Sequence, residues 1–186
     1  MIVDGKKFAA ELGKCLKSGY NLRAADGHIC IYTMEWLFRA KMEKLPREIL
    51  AELVMHLGTV PQDCCLRAWK DKDGYQVQSM MEDVFQEGAE DFDDAQELEE
   101  VRDTGLRWGT ALYQAQAGWI VGVSLNRRLL CEGAKTCYAA GEQSVLWMDA
   151  ESTIAFRAYR PEPNTDVRQQ WTALETVQWC TWDKPC

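Results

Sequence analysis

Carboxylates are the side chains most clearly placed to do chemistry in this chain, and they crowd into one stretch, EGAEDFDDAQELEEVRD, residues 87–103. From Glu82 to Asp103, eleven acids face a single base, Arg102, for a net charge of −10. The whole chain carries −8, so everything outside this stretch sums to +2. The negative charge is therefore local. Such a run repels nucleic acid and anionic membrane, and it steers a basic surface towards itself, with screening over a Debye length of about 8 Å. Carboxylates spaced along a backbone can occupy the Arg and Lys contacts that otherwise hold phosphate. The candidate contact residues are Glu87, Glu90, Asp91, Asp93, Asp94, Glu97, Glu99 and Glu100. A pure spacer would lack apolar residues, yet Val84, Phe85, Phe92, Leu98 and Val101 punctuate this one. Ala95, Leu98 and the neighbouring acids suit a short helix docked on one face. The competing reading is a solvated connection with no partner.

Other chemistry has fewer residues to work with. There is no G-x-S-x-G elbow, no phosphate-binding P-loop, no G-x-G-x-x-G and no H-E-x-x-H. Only two histidines occur. His28 stands beside an Asp-Gly turn and His56 in the last turn of a helix, where a cation would suit the helix dipole. A base with its orienting acid is not apparent. Two cysteine pairs share a C-x5-C spacing, Cys131 with Cys137 and Cys180 with Cys186. Structural zinc usually draws paired ligands from turns with about two to four intervening residues, so this spacing is too wide for a knuckle. The DKDG stretch at 71–74 lacks the acids of a calcium loop and reads as a turn. No metal and no cofactor is expected. The eight tryptophans are expected mostly in the core, with one or two at an interface. Stacking on single-stranded bases would require basic residues alongside them. The Lys and Arg residues are scattered instead.

These residues must be positioned by a chain of 186 residues with 47% apolar and 27% charged content, an ordinary globular composition. Asp4 can cap a helix that places Phe8, Leu12, Cys15 and Leu16 on one face. YNLRAA and HICIYTM flank Asp26-Gly27, a dipeptide suited to a type I′ hairpin, and EWLFRAKME alternates as a third strand. Pro46 and Gly58 bracket a helix through Ile49, Leu53 and Leu57. CCLRAW and YQVQSMM form a second hairpin. From Leu106 onward, LRWGTALYQA, GWIVGVSL, SVLWMD and TIAFRAY read as strands, and WTALETVQWCTW fits either a strand or a helix through Val167, Trp171 and Leu174.

The fold class expected is α+β, with a mostly antiparallel sheet, two or three helices and a β-rich C-terminal half. Residues 1–85 form an α-β-β-β-α-β-β unit, 86–104 an acidic connector or surface segment, and 105–186 the β-rich half. One continuous domain over 1–186 is the alternative. The N-terminus shows no apolar signal core and no stretch approaches the roughly 20 apolar residues of a membrane span. Cysteines lie within apolar or alternating stretches, which fits a reduced, cytoplasmic protein. The function expected is that of a non-enzymatic acidic binding protein whose acidic surface meets the basic surface of a nucleic-acid-handling enzyme and inhibits it. Phage or mobile-element anti-defence proteins (anti-CRISPR or anti-restriction) and nuclease immunity proteins are the classes it fits. Direct nucleic-acid or membrane binding is not expected. The alternative is a ligand-binding or enzymatic domain with a pocket on a Trp-rich sheet. Thiol titration of denatured, non-reduced protein should count close to eight free thiols. A count lower by four or more would overturn the reduced-compartment reading.

Overall fold

The computed structural model describes residues 1–81, 95–101, 109–131, 136–140, 143–159 and 166–175. Local signals start it. Asp4 Oδ1 accepts hydrogen bonds from the Lys6 and Lys7 amides at 3.0 Å each, and α1 runs Gly5–Cys15. Asp26 (φ 51°) and Gly27 (φ 72°) both take positive φ, so a two-residue turn joins β1 (Tyr20–Ala25) to β2 (His28–Tyr32). Thr33 Oγ1 then accepts from the Glu35 and Trp36 amides and turns the chain into β3 (Trp36–Lys41). Pro46 precedes α2 (Arg47–Leu57), and Gly58 ends it at φ 76°. The second hairpin is β4 (Cys64–Asp71) and β5 (Gly74–Ser79), closed by an Asp71 carboxylate that accepts from the Asp73 amide at 2.8 Å.

The later elements are β6 (Gln96–Glu100), β7 (Thr110–Ala115), β8 (Ile120–Ser124), the single turn α3 (Leu125–Arg128), β9 (Cys137–Ala140), β10 (Ser144–Met148), β11 (Ser152–Arg157) and α4 (Asp166–Glu175). The α+β reading holds: eleven strands join one sheet in the order β5-β4-β1-β2-β3-β11-β10-β9-β6-β7-β8, every neighbour antiparallel. The C-terminal element open to either type in the sequence is helical over 166–175. RPEPN and most of the 86–104 segment lie outside the described residues. Among the described residues no helix is long and apolar enough to cross a membrane.

The sheet curls on itself. Past Arg157 the β11 edge vacated by β3 is taken by β8: Tyr159 N–H donates to the Gly122 carbonyl at 2.7 Å, and Gly122 N–H to the Tyr159 carbonyl at 3.1 Å. Strands β11, β10, β9, β6, β7 and β8 thereby close a ring, while β3, β2, β1, β4 and β5 extend outwards from β11.

One face of the sheet is core along its length. Leu66, Leu22, Ile31, Phe38, Ile154 and Trp147 lie in register across six adjacent strands. In the outer half this face is covered by Phe8, Leu12 and Leu16 of the α1 segment and by Ile49 and Leu53 of α2. Phe8 packs edge-on to Trp36 at 5.2 Å and against Phe38 at 4.6 Å. Inside the ring, Trp147 makes edge contacts at 5.8 Å with both Tyr113 and Phe156. The side chains described for four tryptophans follow the core expectation only in part. Trp36 and Trp147 are buried, whereas Trp69 and Trp119 are half-buried.

Truncating Trp147 to Ala removes the centre of the ring's packing and should cost about 3–5 kcal/mol of unfolding free energy. Val77→Ala, on the exposed edge strand, should stay within about 0.5 kcal/mol. Guanidinium denaturation monitored by circular dichroism measures both.

Candidate functional site

Of the candidate contact acids, those that the structure describes, Glu97, Glu99 and Glu100, are mounted on β6. Leu98 is buried, Glu97 and Glu100 are exposed and Glu99 is half-buried, with Glu100 at the strand's end on the side of Leu98. Glu97 and Glu99 share the face opposite Leu98, about 6.7 Å apart along the strand. Both flanks of β6 are paired: Glu97 stands across from Tyr138 of β9, and Glu99 and Glu100 across from Gln114 and Tyr113 of β7. The short helix expected around Ala95 and Leu98 is not formed. Two vacant strand edges, those of β9 and β7, are satisfied by an extended chain between them, and that outweighs the weak strand propensity of QELEE. Glu87, Glu90, Asp91, Asp93 and Asp94 lie outside the described residues.

A second cluster gathers around the half-buried Arg128 of α3. Its guanidinium sits over the Trp147 ring at 5.7 Å and donates to the Cys131 carbonyl at 2.9 Å. Burial pushes the Cys131 thiol up to about 12, only partly offset by Arg128, and burial holds Cys137 well above the ordinary thiol range. Burial is also the main reason that the Tyr113 hydroxyl is held protonated. Thiols in that state are neither nucleophiles nor ready metal ligands at neutral pH. Cys180 and Cys186 lie outside the described residues, and among the described residues no three His, Cys, Asp or Glu side chains form a metal cluster.

His56 sits at the end of α2, as its place in the sequence implies, but it is 2% exposed. Its Nε2 is 2.9 Å from Glu52 Oε1 and its Nδ1 is 3.1 Å from the Tyr20 hydroxyl. One neutral tautomer satisfies both contacts: Nε2–H donates to the carboxylate while Nδ1 accepts from Tyr20. Burial lowers the His56 pKa, and the Glu52 carboxylate opposes that without reversing it. Tyr20 is 1% exposed, so two of the three side chains are closed off and only Glu52, 22% exposed, reaches solvent; the trio ties β1 to α2.

The open face of the outer sheet carries a groove that was not foreseen. Its lining is Arg23, Ala25, Asp26, His28, Cys30 and Arg39, around a space of about 130 Å³. The register explains the grouping: Arg23, Cys30 and Arg39 are direct neighbours on β1, β2 and β3, pointing away from the helices. The signal was present in the sequence, since the Asp26-Gly27 turn fixes that register, but reading it required the β2–β3 pairing as well.

In comparison with known proteins, the chain matches no protein-family model and no curated protein.

The His56 trio yields a pH dependence. The folded state binds the His56 proton less readily than the unfolded state, whose reference pKa is about 6.5. The unfolded chain therefore takes up more protons as pH falls. This contribution is complete above about pH 7.5 and is lost progressively below about pH 6.5. In urea denaturation from pH 5.5 to 8, His56→Gln should be less stable than the parent at pH 8 and should lose less stability on acidification. An unchanged slope in the variant would contradict the assignment.

Proposed function

We propose that the protein is a non-enzymatic binding protein whose acidic surface engages a basic, nucleic-acid-handling protein and blocks its phosphate-binding groove. The observation that carries this reading is the mounting of Glu97 and Glu99 on a strand held by backbone pairing on both sides. Acids on such a strand keep their spacing, so less conformational entropy is lost when they meet a row of Arg or Lys. The local charge of −10 in a chain of −8 supports the same direction of recognition. Phage or mobile-element anti-defence proteins, whether anti-CRISPR or anti-restriction, and nuclease immunity proteins act in this manner, and we assign the chain to that functional class. Six described cysteines are free thiols, which supports a reducing, cytoplasmic setting.

The test is retention of partners from a lysate on immobilised protein, compared with two charge-neutralised forms. One carries Glu97→Gln, Glu99→Gln and Glu100→Gln. The other changes Glu90, Asp91, Asp93 and Asp94 to their amides. The parent should retain a basic nucleic-acid-binding enzyme that added DNA or salt displaces, and the variants should lose it. Each desolvated pair broken costs roughly 2–5 kcal/mol. Retention unchanged in both variants, or a complex that holds DNA and this protein together, would refute the proposal.

A further inference from the structure

We propose that the groove on the outer sheet is a binding site for a phosphate-type oxyanion, either free or as the terminal group of a phosphomonoester. It is independent of the acidic surface. Arg23 and Arg39 stand on strands two spacings apart, about 9.5 Å between backbones, with the buried Cys30 as the floor between them. Both side chains line the groove, and a guanidinium presents a planar fork, the geometry that recognises tetrahedral oxyanions through paired N–H donors. Arg39 is half-buried, and its side chain has no hydrogen bond or ion pair among the described residues. Nearby Lys41, by contrast, is already engaged with Glu151 at 3.3 Å.

His28 adds direction. Its Nδ1 is 3.0 Å from the Asp26 carbonyl, which can only accept, so Nδ1 carries the hydrogen. Nε2 is left as the ring's second polar atom, on a side chain that lines the groove. The Asp26 carboxylate also lines the groove and opposes an anion, but it belongs to an exposed turn residue at the rim. Size limits the occupant. A space of about 130 Å³ falls well below the roughly 300 Å³ at which pockets for larger organic ligands begin, and it suits a single oxyanion group. The chain's net charge of −8 and this narrowness disfavour a polyanion lying across the face.

The probes are inorganic phosphate and phosphoserine, titrated into the full chain at constant ionic strength. Phosphorus NMR line width and amide shifts at Arg23, Cys30 and Arg39 serve as readouts. Saturable binding of either probe at these residues is expected. Tighter binding of phosphoserine would identify a phosphomonoester as the source, and equal binding a free anion. Arg39→Gln should weaken binding about tenfold or more, and Arg39→Lys, which keeps charge but loses the fork, should fall between. Arg47→Gln, an exposed residue of α2, should leave it unchanged. His28→Gln provides a second groove variant should Arg39→Gln fail to fold. Absence of saturable binding by either probe, or equal binding by the Arg39 and His28 variants, would overturn the proposal.

Discussion

The structure hangs on the two edges of β11. One edge is occupied by β10. The other is divided between β3, which pairs with residues 152–156, and β8, which takes over at Tyr159. Backbone N–H and C=O groups that are buried must be paired, and a strand that loses one neighbour needs another or an exposed edge. Handing the β11 edge from β3 to β8 solves this for both halves at once. It closes the ring, and it leaves β3 as the root of the five-strand extension. Side-chain packing follows the same line: Trp36 faces Phe156 across the junction, and Phe156 faces Val145 within the ring. Further contacts fasten the halves together. The Asp4 amide donates to the Leu130 carbonyl at 2.9 Å, the Ile2 amide to Ser152 Oγ at 3.2 Å, and Arg127 pairs with Glu35.

That junction also marks the boundary of what was legible in the sequence. Everything from Asp4 to Ser79 is specified by neighbours: an Asp cap, an Asp-Gly turn, a Pro before a helix, a Gly after it, and alternating strands between. Beyond that point the determinants are distant. Strand β9 is four residues long, too short to show a period, and β6 consists of QELEE, whose residues favour helix or solvent. Neither declares itself locally. Each is a strand because partners many residues away present unpaired edges. The turn α3 was likewise hidden, since LNRR continues directly from the β8 alternation. Of the expected contact residues, Glu97, Glu99 and Glu100 fall on a described element; the groove residues were missed because their grouping is a property of three strands together.

The two polar surfaces divide the work of the sheet's faces. In the outer half the core face is consumed by α1 and α2, so the opposite face is free to carry Arg23, Arg39 and His28. In the ring the core face points inwards and is consumed by side chains such as Leu98, Tyr113 and Trp147. Part of the outward face is covered as well, since Leu112, Ile120 and Leu146 are each 0% exposed. Glu97 is therefore an exposed acid on a face that is otherwise partly apolar.

Strand β6 shows how little the fold asks of the residues that carry this charge. The ring requires from it a backbone to pair on both sides and Leu98 to fill the interior, and just past its end the Val101 amide donates to the Leu112 carbonyl at 2.8 Å. Positions 97 and 99 contribute pairing through their main chains and nothing to the core. Substitutions at such positions change stability by only about half a kcal/mol, so their chemistry can be set by whatever they contact. A linker would offer the same freedom of sequence without fixing the spacing. Embedding the acids in the sheet supplies both, because the same ladder that forces an unpromising sequence into a strand also holds its carboxylates in register.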